Sequence, residues 1–248
     1  MICQIDDKTV THYFLVLPSR KIAPKALTMT SPLKDKKILI TAGPTREYLD
    51  PVRFITNESS GKMGYALAEY FDQRGASVIL VSGPVTLETV FPSEKIISVV
   101  SGAAMLAACE PHFSSIDVAV FCAAVADYAP VQFSTQKIKK IETRCTLELR
   151  KNADIALAFA KVKQPGQIAI GFALETENIL ENGLKKMERK NFDFIVVNSP
   201  APLEGFGYDT NKVSIITRKK AILEYPLKTK KAVAVDIVTL LEDYVEGT

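Results

Sequence analysis

Ser59, Ser60 and Gly61 stand at the head of a segment, GKMGYALAEYFDQRGA, whose apolar residues recur at helical spacing. A helix that starts this way offers hydroxyls and free backbone N–H groups, the arrangement that holds an anion. The plainer reading is an ordinary helix cap with a close-packed glycine. Gly61, Lys62, Met63 and Gly64 do not complete a Walker A loop, because no glycine stands at the required distance before GK, and no GxGxxG follows the preceding strand. Lysines gather at 34–37, 137–140, 185–190 and 228–231, yet the formal net charge is only +3. That balance is too mild for a nucleic-acid partner and suits small anionic substrates, while any one cluster alone reads as a solvated face. Cys3, Cys109, Cys122 and Cys145 form no CxxC pair, and His12 lies far from His112, so a structural zinc site is not expected. No Ser/His/Asp or Cys/His constellation is evident.

The elements that would position these residues follow an alternating pattern. The 248 residues are 47% hydrophobic and 24% charged, ordinary for a globular chain with a substantial core. Residues 1–34 match no clear element and read as an extension of unknown role; residues 35–248 read as one domain. KKILIT opens the pattern as a β-branched run suited to a buried parallel strand. A long polar loop, TAGPTREYLDPVRFITNESS, leads to the helix above, with Met63, Ala66, Leu67, Tyr70 and Phe71 on one face and Gly75 as its stop. Then come strand SVILVSG, a small-residue helix near 102–110, strand DVAVFCA, strand TLELR, helix ADIALAFAKV, strand QIAIGF, helix ENILENGLKKMERKN and strand FDFIVV. Strands alternating with helices predict an α/β fold: a doubly wound, mostly parallel, Rossmann-like sheet with helices on both faces. KVSIIT and AILEYPL predict a small C-terminal antiparallel strand pair, before a last helix over 230–244. Ligands in such a sheet sit beyond the carboxyl ends of the strands, so the loops after KILIT, FCA, IGF and FIVVN should share one crevice.

Read together, ITAGPTREYLDPVRFITNESSGKMG, FCAAVADYAP with KIKK downstream, LRKNADI, IGFALET and KKMERKNFDFIVVN closely resemble the phosphopantothenate–cysteine ligase family over residues 36–245. The likeness is strongest to the bacterial form often fused to a flavin-dependent decarboxylase, though no flavin is expected here. The resemblance implies activation of the 4'-phosphopantothenate carboxylate on the α-phosphate of a nucleoside triphosphate, followed by displacement of the nucleotide by the cysteine amine.

The same resemblance carries roles onto individual positions. Asn57 matches the asparagine of the NxSSG text and would handle the acyl-nucleotide, its amide offering both donor and acceptor. Lys137, the first lysine of KIKK, would bind the triphosphate and stabilise charge growing at the α-phosphate. Ala124 would lie with its backbone against the reacting groups. Phe121, Cys122, Ala123, Asp127, Asn152, Ala153, Asp154, Ile155 and Phe172 match nucleotide-contacting positions, with Ala153 in place of the commoner proline. Lys186 and Lys190 match lysines of a segment that closes over the triphosphate. Arg53, Ser59, Ser60 and Gly61 would hold the acid substrate, Arg53 by bidentate contact or else as an organiser of its own loop. Asp127 could accept from ribose hydroxyls or reach a magnesium ion that arrives with the triphosphate, and Asp154 could reach that ion or serve as the carboxylate that starts its helix. Cys122 reads as packing rather than nucleophile.

The bacterial-type text implies Mg2+ and CTP, with ATP the lesser alternative, a homodimer, and a separate phosphopantothenoylcysteine decarboxylase as a further partner. A cytoplasmic protein is expected, since no secretory signal or membrane-length apolar run occurs. Two alternatives stand beside the ligase. One is a catalytically silent nucleotide-binding regulatory protein on the same fold. The other is a nicotinamide-dependent reductase, for which an acidic residue after the second strand is missing.

Overall fold

The structure, a computed structural model, describes residues 2–7, 10–18, 31–139, 144–174, 178–198 and 209–247. Lys140, in the KIKK text, and the Glu175 and Thr176 of IGFALET lie outside them.

Ten strands form the main sheet: β1 (Ile2–Asp7), β2 (Val10–Pro18), β3 (Lys37–Ala42), β4 (Ser77–Ser82), β5 (Ile96–Ser98), β6 (Val118–Phe121), β7 (Ile168–Leu174), β8 (Phe194–Asn198), β9 (Val213–Thr217) and β10 (Ile222–Glu224). Their spatial order is β1-β2-β10-β9-β8-β7-β6-β3-β4-β5. The six strands from β3 to β8 are mutually parallel and lie in the order β5-β4-β3-β6-β7-β8. This is the 3-2-1-4-5-6 order of the doubly wound Rossmann fold, with its switch point between β3 and β6. β9 pairs antiparallel with β8, and β10 pairs antiparallel with β9, as the tail pattern predicts. In the segment that matched no clear element in the sequence, β1 pairs antiparallel with β2, and β2 runs parallel to β10, so both strands extend the main sheet.

Five helices cover the sheet: α1 (Lys62–Gln73), α2 (Gly102–Cys109), α3 (Ile155–Val162), α4 (Ile179–Arg189) and α5 (Lys230–Glu246). Side chains alternate between faces along each strand. Ile38, Ile40 and Ala42 of β3 point into a core shared with α1 and α5, whereas Leu39 points into the other core with Met105 of α2, Phe159 of α3 and Met187 of α4. Helix α1 forms where the apolar spacing demands, and ends at Gly75, whose φ of 80° suits a residue without a Cβ. The Ala76 N–H reaches back to the Phe71 carbonyl at 3.1 Å and closes the helix end. The same end is tied to α5 by a buried ion pair, Arg74 Nε to Glu242 Oε1 at 2.7 Å, and removing one partner of such a pair costs about 3–5 kcal/mol.

Three local features depart from the sequence reading. TLELR does not enter the parallel sheet; Leu149–Lys151 instead pairs antiparallel with Tyr128–Pro130 in a ribbon outside it. Leu147 and Leu149 are 44% and 43% exposed, so this segment lacks the burial on both faces that a parallel strand needs. Ile96–Ser98 supplies the edge strand β5, too short and too mixed to stand out in the sequence. The long loop after β3 also folds on itself, Arg46–Tyr48 pairing with Phe54–Thr56.

Gly64 lets α1 approach β3 closely. A Cβ there would lie 2.5 Å from the Ala42 Cβ and 3.2 Å from its Cα. Gly64→Ala is expected to push α1 off the sheet and to cost about 1–3 kcal/mol, read as a lower urea midpoint; an unchanged midpoint would show that the contact is slack.

Candidate active site

At the switch point the chains leaving β3 and β6 continue side by side. The Cys122 N–H donates to the Thr41 carbonyl at 3.2 Å, the Ala124 N–H to the Gly43 carbonyl at 2.9 Å, and the Ala126 N–H to Thr45 Oγ1 at 3.0 Å. Beyond them opens a cleft of about 490 Å³. It runs across the carboxyl edge of the sheet, with α1 and α5 on one side and α3 and α4 on the other.

The cleft gathers Asn57, Ser59, Ser60, Gly61, Phe121, Cys122, Ala123, Ala124, Asp127, Asn152, Ala153, Asp154, Ile155, Phe172, Lys186 and Lys190, drawn from separate loops and helices. Asn57 Nδ2 donates to the carbonyls of Ala124 and Val125, at 3.3 and 3.0 Å, so it fixes the backbone at the centre of the cleft. Asn152 does the same for the next turn, its Nδ2 donating to the Ala126 carbonyl at 2.8 Å. Asp127 is exposed at the cleft. Asp154 caps α3, accepting from the Leu157 N–H at 3.1 Å, and pairs with Lys190 at 2.9 Å. Burial would raise its carboxyl, but the Lys190 ammonium, the Leu157 N–H and Arg189 outweigh that and hold it below the usual value. Burial pushes the Cys122 thiol up to about 12 despite nearby Lys230, which makes it a packing group rather than a thiolate.

Gly61 is the N-cap of α1, at φ 74°, and no side chain caps the helix. Its Cβ would sit 2.6 Å from Val85 Cγ1, so both conformation and space call for glycine. The first turn of α1 therefore presents backbone N–H groups to the cleft. By contrast, the N-terminus of α2 is closed: Glu47 Oε1 accepts from the Gly102 N–H at 2.8 Å and Ser101 Oγ from the Ala104 N–H at 3.2 Å.

Arg53 and Lys137 are not part of the cleft wall of this chain. Arg53 organises its own loop: its Nε meets Asp50 Oδ2 at 3.1 Å and its Nη2 donates to the Ile138 carbonyl. The Asp50 carboxylate is fully buried and accepts from the N–H groups of Val52 and Arg53, both at 2.8 Å, and of Ile138 at 3.1 Å. It thus ties the loop after β3 to the segment bearing the exposed Lys137. Lys62, Lys151, Asn198, Asn211 and Lys230 line the cleft but were not singled out in the sequence. Asn198 had a signal, since it ends β8, whose following loop was expected at the crevice. Lys230 stood in the lysine cluster at 228–231, which alone reads as a solvated face, and Asn211 had no signal; the place of both depends on how the tail folds back.

Residues 33–244 match the family described as DNA/pantothenate metabolism flavoprotein C-terminal domain. The chain belongs to this family. It is 43% identical over 221 residues to the coenzyme A biosynthesis bifunctional protein CoaBC of Bacillus subtilis (strain 168), covering 88% of this chain and 54% of that protein. It is 45% identical over 208 residues to a cysteine/cysteine sulfinic acid decarboxylase of an unknown prokaryotic organism, covering 84% of this chain and 58% of that one. The chain thus spans just over half the length of these curated relatives. Among solved structures, the crystal structure of the C-terminal domain of CoaBC superposes with a TM-score of 0.74 at 42% identity, covering 88% of this chain and all of that one. The match bears out the α/β fold and the family resemblance read from the motifs. Among the described residues, no helix is long and apolar enough to cross a membrane.

Asp50 gives the site a pH-dependent element. Burial would raise its carboxyl, but the N–H groups of Val52, Ile138 and Arg53 and the Arg53 guanidinium win, and its pKa is lowered. A lowered carboxyl stabilises the fold above the unfolded value of about 3.9 and loses that contribution as pH falls through its own, lower value. Amide exchange at Val52, Arg53 and Ile138 should stay slow at about pH 5 and accelerate only in stronger acid. Asp50→Asn should make it fast throughout; a variant as protected as the parent would remove Asp50 as the tie.

Proposed function

We propose that this chain joins L-cysteine to 4'-phosphopantothenate at the expense of a nucleoside triphosphate, CTP by preference over ATP, forming 4'-phosphopantothenoylcysteine, the nucleoside monophosphate and pyrophosphate. The observation that carries this reading is the cleft at the switch point. It has cationic groups on both faces of the sheet, Lys186 and Lys190 on one and Lys62 and Lys230 on the other, around the backbone of Ala123 and Ala124. Two anionic reactants that must meet in the middle require such a layout. The coenzyme A biosynthesis named for the CoaBC relatives fits the same chemistry.

In the first step a carboxylate oxygen attacks the α-phosphorus, pyrophosphate leaves, and an acyl-nucleotide forms. In the second the cysteine amine attacks the acyl carbon, the nucleoside monophosphate leaves, and the amine gives up a proton. Neither step needs a protein nucleophile. Holding the carboxylate and phosphate in line supplies much of the acceleration. Asn57 keeps the Ala124 and Val125 carbonyls in place at the reacting centre, and its amide oxygen remains for the acyl-nucleotide. Lys190 can leave Asp154 for the triphosphate, since an ion pair of this kind exchanges one anion for another. Among the described residues no cluster of three His, Cys, Asp or Glu could hold a metal. Magnesium would then enter on the triphosphate, with Asp127 or Asp154 offering an oxygen. Lys137 stands outside its own cleft on the segment held by Asp50, where it is free to serve the triphosphate of a partner in a homodimer. The exposed Tyr128, Val131, Phe133, Leu147 and Leu149 on the outlying ribbon support such pairing. A separate phosphopantothenoylcysteine decarboxylase would take the product onward.

The test is pyrophosphate release with Mg2+, 4'-phosphopantothenate, cysteine and CTP or ATP, with mass detection of the amide. Product dependent on all three substrates is expected, and faster with CTP. Binding of nucleotide without any amide would favour the silent regulatory protein. Lys137→Ala should lower kcat by about 100-fold or more, on the scale of losing one electrostatic contact to the transition state, with no change in unfolding midpoint. Equal turnover would take Lys137 out of the mechanism.

A further inference from the structure

Asn57 lines the centre of the cleft but is an exposed residue, so packing alone does not fix its side chain. An asparagine in that setting samples several rotamers unless hydrogen bonds select one. Its Nδ2 donates to the carbonyls of Ala124 and Val125, which holds the far end of the side chain. The near end must be held as well.

The short ladder of Arg46–Tyr48 with Phe54–Thr56 pairs Arg46 with Thr56, so Thr45 and Asn57 come next along its two strands. The Thr56 hydroxyl has a single proton to give. Its nearer acceptor is the Thr45 carbonyl at 2.7 Å, the Asn57 carbonyl lying at 3.4 Å. Thr45 is wholly buried, and its own Oγ1 accepts from the Ala126 N–H at 3.0 Å. These links close on themselves. They run from Ala126 to the Thr45 side chain, from the Thr45 carbonyl to Thr56, along the chain to Asn57, and through its amide to Val125, the neighbour of Ala126. Members of such a network support one another, so cutting one link loosens the rest. A valine would match Thr45 in shape but could not accept, and a buried N–H such as that of Ala126 requires a partner.

We infer that Thr45 and Thr56 are positioning residues for the reaction: their hydrogen-bonded ring sets where the Asn57 amide stands over the Ala124 and Val125 carbonyls. Neither threonine lines the cleft, so both act through Asn57. The catalytic consequence rests on the ligase reading, whereas the ring itself does not. With the ring closed, Asn57 meets the acyl-nucleotide already in place and no rotamer has to be selected during the reaction.

Two measurements test the ring. In the first, 15N relaxation of the Asn57 side-chain amide reports its fast motion in the substrate-free protein. The amide should be well ordered in the parent and in Thr45→Ser, and more mobile in Thr45→Val and Thr56→Val. Equal order in the parent and both valine variants would overturn the inference whether or not the protein makes an amide bond, whereas an ordered parent without turnover would count against the ligase reading alone. In the second, steady-state kinetics are compared across the same proteins. Each valine variant should lose about tenfold or more in kcat while KM for every substrate stays within about twofold, the signature of a contact felt in the transition state. Thr45→Ser should keep the parent rate. The double variant Thr45→Val/Thr56→Val should be little slower than the slower single one, because either change opens the same ring. Losses that multiply, or full kcat in a variant whose Asn57 amide is mobile or whose unfolding midpoint has fallen, would refute the positioning role. Thr56 is exposed, so Thr56→Val carries the test if Thr45→Val does not fold.

Discussion

Two backbone segments, 41–45 and 122–126, leave neighbouring parallel strands at the same edge of the sheet, and their polar groups must be paired where they are buried. They meet that demand by continuing the ladder past the strand ends, through the Cys122, Ala124 and Ala126 N–H groups. The helices that follow then part, α1 to one face and α3 to the other. The cleft is the space that this divergence leaves. Everything placed in it depends on the two segments staying parallel: Asn57 holds the Ala124 and Val125 carbonyls of the second, Asn152 pins the next turn, and Ala123 and Ala124 are small enough to keep the backbone accessible.

The electrostatics follow from the same layout. The first turns of α1 and α3 both line the cleft; Asp154 caps α3, whereas no side chain caps α1. Asp154 closes α3 and holds Lys190, so that side is poised as a preformed ion pair. The other side carries Lys62, paired with Asp209, Lys230, and the buried side-chain oxygens of Asn198 and Asn211, which have no hydrogen-bond partner.

The family of loops was legible in the sequence because each loop is distinctive and follows a strand whose direction the alternating pattern implied. Asn57, Asp127, Asn152, Asp154, Lys186 and Lys190 come together in the cleft for that reason. Arg53 and Lys137 were legible as motif members but not as to place. Arg53 turns inward to Asp50 and the Ile138 carbonyl, a partnership between residues far apart in sequence that no local pattern announces.

Apart from β1, β2 and the short β5, the sequence by itself determined the succession of main-sheet strands and helices, the parallel core and the C-terminal antiparallel pair, because apolar period and glycine stops are local properties. It could not place TLELR, whose apolar residues look like a buried strand until the surrounding sheet is already full. Nor could it show Lys230 and Asn211 joining Asn198 at the same cleft. Burial and unmet hydrogen bonds are properties of what surrounds a side chain, and only the folding of the tail back over α1 created those surroundings.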